Sequence, residues 1–182
     1  MQDIQSLPVD AAPQLIAGIV MGLTAENHLP EIEKCLDDGM LIAEEVNKGI
    51  SEIKKGGIEN YVLAAVEFGL VYKQLGSSLK NCEGMQDDLA EIEEWAKIFL
   101  DFKKLSYEVT YNLTKHEKEA IQDLLHTKAD WEAASYFNTG VDVSTLMTLA
   151  LGPIADDYLM TKFGVEAEEE VAVQKYLAYI HF

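Results

Sequence analysis

The chain contains no arginine, and this absence limits the partners that it can bind. All 14 basic residues among the 182 are lysine, against 32 acidic residues, and the formal net charge at pH 7 is -18. Arginine supplies bidentate phosphate contacts and planar stacking that lysine cannot reproduce. At this negative charge, nucleic acid and anionic membrane surfaces repel the chain. We therefore expect cations, basic proteins or neutral molecules as partners, and no nucleic acid.

Long apolar runs are also lacking. The best one, Leu15 to Leu23, is far shorter than the ~20 residues that a membrane span requires, so we expect no span. The opening Met1-Gln2-Asp3 lacks the basic region of a signal peptide. Two interpretations stay open: Met1 is the true initiator of a cytoplasmic protein, or it precedes a mature secreted chain whose signal has been removed.

Motifs for catalysis and cofactor binding are missing as well. The sequence has no glycine-rich phosphate loop, no nucleophile elbow and no Cys-x-x-Cys. Helical metal sites commonly use Glu-x-x-His, and only Asp123 to His126 comes near that spacing. Asp37-Asp38-Gly39 is followed by apolar residues, which an EF-hand loop does not tolerate. The sequence predicts no catalytic residue, no metal site, no cofactor and no enzyme.

What the sequence does contain is a pair of cysteines, Cys35 and Cys82, on either side of a Gly56-Gly57 turn. Apolar residues recur every three or four positions before and after the glycines, which predicts an antiparallel hairpin of helices over about 30–54 and 58–80. Cys35 can then reach Cys82, and a disulfide indicates an oxidising compartment. Closing a loop of 46 intervening residues should stabilise the fold by about 3 to 4 kcal/mol. The facing pairs are Ile53 with Ala65, Ile50 with Phe68, Val46 with Tyr72, Ala43 with Leu75 and Leu36 with Cys82.

The remaining segments to residue 153 are also predicted to be helical. Gly18 and Gly22 give the helix from Gln14 to Leu23 a smooth face for close packing. A fourth helix begins at Met85, the chain from 105 to 138 is helix-compatible throughout, and Asn138-Thr139-Gly140 predicts a helix stop. The predicted fold is an all-α, single-domain bundle of five to seven helices over residues 1–153.

Residues 154–182 form a different kind of segment, which we call the arm. An acidic patch over 166–170 precedes apolar and aromatic residues up to the last position. Termini are commonly polar, so this ending indicates docking, either on the chain's own core or on a neighbouring subunit. The predicted interaction residues are Tyr176, Leu177, Tyr179, Ile180 and Phe182.

A sequon at Asn112-Leu113-Thr114 predicts glycosylation of Asn112, in agreement with a secreted chain.

Three short stretches carry a family resemblance. Asn81-Cys82, then Trp95-Ala96-Lys97-Ile98-Phe99, then Ser135-Tyr136-Phe137-Asn138-Thr139-Gly140 are similar to small two-cysteine helical proteins common in ciliate genomes. The resemblance covers about residues 16 to 151. It implies a lineage and a secreted location, and it supplies no catalytic residues.

Two functions are compatible with these observations. The first is a non-enzymatic structural or protein-interaction protein that self-assembles through its arm into a homo-oligomer. The alternative is a carrier of a small apolar ligand, because pockets in helical bundles form between helices. Tyr61, Phe68 and Tyr72 lie on the predicted seam and would line such a cavity or fill a closed core.

Overall fold

The computed structural model describes residues 7–152, except for the side chains of Phe99 and Phe102. In this part of the chain all regular structure is helical, which confirms the predicted all-α fold. The elements are α1 (Ala11–Thr24), α2 (Leu29–Cys35), α3 (Met40–Lys55), α4 (Ile58–Ser78), α5 (Gln86–Trp95), a 3₁₀ helix (Ala96–Leu100), α6 (Phe102–Lys115), α7 (Glu117–Glu132) and α8 (Tyr136–Leu151).

The predicted hairpin is formed by α3 and α4. Gly56 and Gly57 both adopt positive φ angles, 71° and 86°, a conformation that glycine reaches without steric cost. All the predicted facing residues are buried except Leu36, which is half-buried. The ring of Phe68 lies against Gly49, next to its predicted partner Ile50.

The bundle has more helices than the five to seven predicted, because two long predicted helices are interrupted. Asp38 has a φ of 47° and separates α2 from α3. His116, with φ -117° and ψ 38°, separates α6 from α7. The interrupting residue is neither proline nor glycine in either case. The apolar periodicity therefore does not indicate these two breaks.

Two glycines bring α1 and α8 into backbone contact. A Cβ atom placed on Gly18 would lie 1.9 Å from the carbonyl oxygen of Phe137, and one on Gly140 would lie 2.1 Å from that of Leu15. Gly22 also packs against α8, at Ser144. The predicted close packing of the Gly18–Gly22 face is therefore confirmed.

The helix stop predicted at Asn138-Thr139-Gly140 is wrong. These residues lie inside α8, and the preceding helix ends at Glu132. Ala134, with a φ of 57°, takes the left-handed conformation at that end. Gly140 is present because α8 crosses α1 at this point, and a glycine at a crossing looks in sequence like a glycine at a cap.

Two pairs of carboxyl groups join neighbouring helices. Burial and a hydrogen bond shared with Glu45 of α3 raise the pKa of Glu67 on α4 to about 7. Burial and a hydrogen bond shared with Asp130 of α7 raise the pKa of Asp142 on α8 to about 6. Each pair therefore binds a proton more tightly than an isolated carboxyl group does, because burial disfavours the charged form and two adjacent carboxylates repel each other.

We predict that the protein is more stable at about pH 5 than at about pH 8. The folded-state pKa of Glu67 lies above the unfolded value of 4.5, so the folded chain binds this proton more tightly. The stabilisation is complete below the unfolded pKa and is lost as pH rises through about 7. Solvent screens both carboxyls, so we expect about 1 kcal/mol from each pair.

Urea denaturation at the two pH values measures this difference. Glu67→Gln should reduce it, because the amide cannot ionise, whereas Glu44→Gln, at an exposed position on α3, should leave it unchanged. Lys48 and Glu52 also face Glu67 and are kept in both variants. An equal pH dependence in Glu67→Gln would contradict the assignment.

None of the described helices is both long and apolar enough to cross a bilayer. The described residues fall within the predicted bundle domain, 1–153. The arm, with Tyr176, Leu177, Tyr179, Ile180 and Phe182, lies outside them.

Candidate functional site

The disulfide predicted between Cys35 and Cys82 is present, with the two Cα atoms 5.1 Å apart. It joins the last residue of α2 to the connection between α4 and α5. The short helix α2 is thereby tied to the open end of the α3–α4 hairpin. We call this arrangement, residues 28–38 with 78–88, the clasp.

Polar contacts hold the clasp alongside the disulfide. The backbone N–H of Asp37 donates to the carbonyl oxygen of Ser78 at 3.0 Å, and the Ser78 hydroxyl donates to the carbonyl of Asp38 at 3.4 Å. Lys80 pairs with Asp37 at 3.8 Å across the surface. The disulfide therefore constrains a junction that also has two hydrogen bonds of its own.

The other end of the clasp is closed by a histidine. Nε2 of His28 lies 2.7 Å from Oδ2 of Asp88, in the first turn of α5, and 3.4 Å from Oε2 of Glu26. The three ligand atoms all lie within 4.8 Å of one another. No local pattern in the sequence indicates this group, because His28 and Asp88 are 60 positions apart.

A groove of about 320 Å³ opens next to the clasp, between α4 on one side and α5 with the 3₁₀ helix on the other. Its apolar lining residues come from all three elements. Leu100 stands at its rim and is 76% exposed, whereas Tyr72 and Ile92 are buried. We call it the α4–α5 groove. It is lined by Tyr72, Lys73, Gly76, Ser77, Leu89, Ile92, Glu93, Ala96, Lys97 and Leu100.

Two lysines, Lys73 and Lys97, line this groove, against one acidic residue, Glu93. Lys97 also pairs with Glu94 on the surface. In a chain with 32 acidic and 14 basic residues this balance is unusual. The groove therefore carries less excess negative charge than the chain as a whole.

The inner wall of the groove is anchored to the bundle core. The phenol of Tyr72 lies 3.0 Å from Oγ of Ser144, and Ser144 donates in turn to the carbonyl oxygen of Ile19 at 2.7 Å. Ser144 has only one proton to donate, so Tyr72 is the donor in the first bond. Burial raises the pKa of the Tyr72 phenol and keeps it a donor.

The end of α8 lies next to this wall. Trp95 packs edge-on against Tyr72, with ring centroids 5.1 Å apart, and its indole N–H donates to the carbonyl of Gly152 at 3.1 Å. Gly152 is the residue from which the arm continues. Gly152, the last described residue before the arm, therefore lies beside Trp95, the neighbour of the groove residue Ala96.

The predicted glycosylation residue, Asn112, is only 2% exposed. Its Nδ2 atom, to which a glycan would be attached, donates to the carbonyl oxygens of Glu108 at 3.0 Å and Ala150 at 2.5 Å. The folded chain therefore uses Asn112 to join α6 to α8, and its geometry contradicts a glycan at this position.

The two other histidines within residues 7–152 lie at separate places on α6–α7 and α7–α8. His116 lies near Glu119, 4.0 Å away on the surface, and His126 lies near Asp123 and Asp142 on α7 and α8. Reasoning from sequence missed both the histidine group of the clasp and the groove. Each depends on how α5 lies against the rest of the bundle, which no local pattern encodes.

Comparison with family models, with curated proteins and with solved structures finds no match to this chain.

Proposed function

We propose that this chain is a non-enzymatic structural and interaction protein that self-assembles, with the α4–α5 groove of one copy receiving the arm of another. The observation that carries the proposal is the groove, which combines an apolar lining with two lysines in a strongly acidic chain. A secreted location and the resemblance to two-cysteine ciliate proteins belong to the same proposal, supported by the disulfide.

The arm matches this groove in chemical character. Residues 171–182 supply tyrosine, leucine, isoleucine and phenylalanine side chains, which suit the apolar lining. The four glutamates within 166–170 precede them and suit Lys73 and Lys97. Eighteen residues, 153–170, separate Gly152 from the apolar part, a reach of up to about 60 Å when extended. That length is sufficient to reach the groove of a second copy.

Light scattering tests this assembly directly. The full chain should have at least twice the mass of one copy, and deletion of 171–182 should give monomers. Leu100→Lys should also give monomers, since it places charge at the apolar rim. Leu41→Lys changes another exposed leucine, on α3, and should assemble like the unaltered chain. An unchanged mass after deletion of the arm residues would contradict the proposal.

A second candidate function, a carrier of a small apolar ligand, rests on the size of the same groove. Its volume of about 320 Å³ lies at the lower end of the range for small-molecule sites. Native mass spectrometry of the purified chain would show a bound molecule as added mass. Deletion of 171–182 would leave that mass in place if the groove carries a ligand, and the protein would be monomeric before and after.

A further inference from the structure

We propose that Glu26, His28 and Asp88 form a binding site for a divalent metal ion of the zinc class, at the end of the clasp. This inference is independent of the proposed self-assembly, because none of these residues lines the α4–α5 groove. It departs from the prediction from sequence, which expects no metal site.

Two carboxylates converge on one ring nitrogen. Nε2 of His28 can donate a single hydrogen, and Oδ2 of Asp88 at 2.7 Å is placed to accept it. Oε2 of Glu26 faces the same nitrogen at 3.4 Å. The single Nε2 hydrogen is already bonded to Asp88, so it cannot also form a good hydrogen bond to the second carboxylate. A divalent ion in place of that proton would interact with both carboxylates and with the lone pair of Nε2.

The two donor separations that involve His28 are close to those that zinc requires. Donor atoms about 2.0 to 2.1 Å from a tetrahedral ion lie about 3.3 Å from one another. The His28–Glu26 separation of 3.4 Å already fits. The His28–Asp88 separation of 2.7 Å must open by about 0.6 Å, a movement that loss of the shared hydrogen permits.

The donor set selects the class of ion. One imidazole nitrogen and two carboxylate oxygens suit zinc and its first-row neighbours. Calcium takes six to eight oxygens and magnesium keeps an octahedron of oxygens, so neither suits this group. Metal binding displaces the Nε2 proton, which leaves to solvent or moves to Nδ1.

The site is held on one side and open on the other. The His28 side chain is 11% exposed, and its carbonyl accepts from Ile32 in α2, whereas the Glu26 side chain is 66% exposed. Cys82 ties α2 to the segment that leads into α5, so the disulfide keeps the two ligand-bearing segments together. An ion can enter past Glu26 and keep water in its fourth position.

Isothermal titration of the full-length oxidised protein with zinc chloride tests the site. About 150 mM NaCl and excess magnesium should suppress diffuse binding to the acidic surface. We expect one zinc ion per chain, with a dissociation constant of about 10 µM or tighter. Glu26→Gln should weaken zinc binding about tenfold or more, and its exposed position means that the fold is unaffected. Asp88→Asn should weaken zinc binding by a similar factor.

His116→Gln is the matched control, since His116 is an exposed histidine beside Glu119. It should bind zinc as tightly as the unaltered chain. In NMR spectra the His28 ring signals, and not those of His116, should shift on saturation. Absence of saturable binding, or equal affinity in Glu26→Gln and Asp88→Asn, would overturn the proposal. The variant that lacks residues 171–182 should bind zinc as tightly as the full chain, whether or not the deletion changes self-assembly. The two proposals can therefore fail independently of each other.

Discussion

Reduction of the Cys35–Cys82 disulfide is expected to lower the free energy of unfolding by about 3 to 4 kcal/mol. The bond closes a loop of 46 intervening residues, and its loss releases that loop in the unfolded chain. For a chain of this size the change corresponds to a drop of roughly 10 °C in the thermal midpoint. Calorimetry with and without reductant measures it.

The clasp supplies the control for this experiment. A Cys35→Ser, Cys82→Ala double variant keeps the hydrogen bond between Asp37 and Ser78 but cannot form the disulfide. Its thermal midpoint should match that of the reduced protein and should not respond to reductant. If the unaltered protein has the same thermal midpoint with and without reductant, the disulfide contributes nothing to stability. The proposal of a secreted location would then lose its main supporting observation.

Replacement of Gly18 by alanine is expected to destabilise the bundle by about 3 kcal/mol or more. The new Cβ atom would lie 1.9 Å from the carbonyl oxygen of Phe137, an atom of the α8 backbone. A side chain could rotate away, but a helix backbone must move as a whole, so α1 and α8 would have to separate. Gly140→Ala should lower the stability by a similar amount, because its Cβ atom would lie 2.1 Å from the carbonyl oxygen of Leu15.

Gly76→Ala is the matched control for both substitutions. Gly76 also lies in a helix, but a Cβ atom there meets nothing within 4 Å. It should leave stability unchanged or raise it by about 0.5 kcal/mol, since alanine favours the helix. Urea denaturation of the three variants decides the matter. A loss of under about 0.5 kcal/mol in Gly18→Ala would contradict the close crossing of α1 and α8.

The part of the fold that sequence predicted best depends on local periodicity. The α3–α4 hairpin follows from apolar residues at helical spacing on both sides of Gly56-Gly57, and the disulfide follows from its register. The spacing of Gly18 and Gly22 on one helix predicts their packing face in the same local way. These features need only the geometry of one or two neighbouring helices.

The part that sequence missed depends on contacts between distant segments. Asn138-Thr139-Gly140 indicates a helix end in sequence, whereas the residue that explains Gly140 is Gly18, 122 positions earlier in the chain. The group at His28 needs α5 to lie beside the α1–α2 connection, and the groove needs α5 to stand away from α4. The position of α5 results from packing of the whole bundle. Local sequence patterns therefore do not predict it.

Cross-linking from Leu100 tests most directly the central claim that the groove of one copy receives the arm of another. The full chain, with p-benzoylphenylalanine in place of Leu100, would be mixed with isotope-labelled copies, irradiated and analysed by mass spectrometry. We predict cross-links between labelled and unlabelled chains that join position 100 to residues 171–182, and none to that segment when the photoreactive residue replaces Leu41. Cross-links from position 100 that form only within one copy, or that reach other segments, would contradict the account.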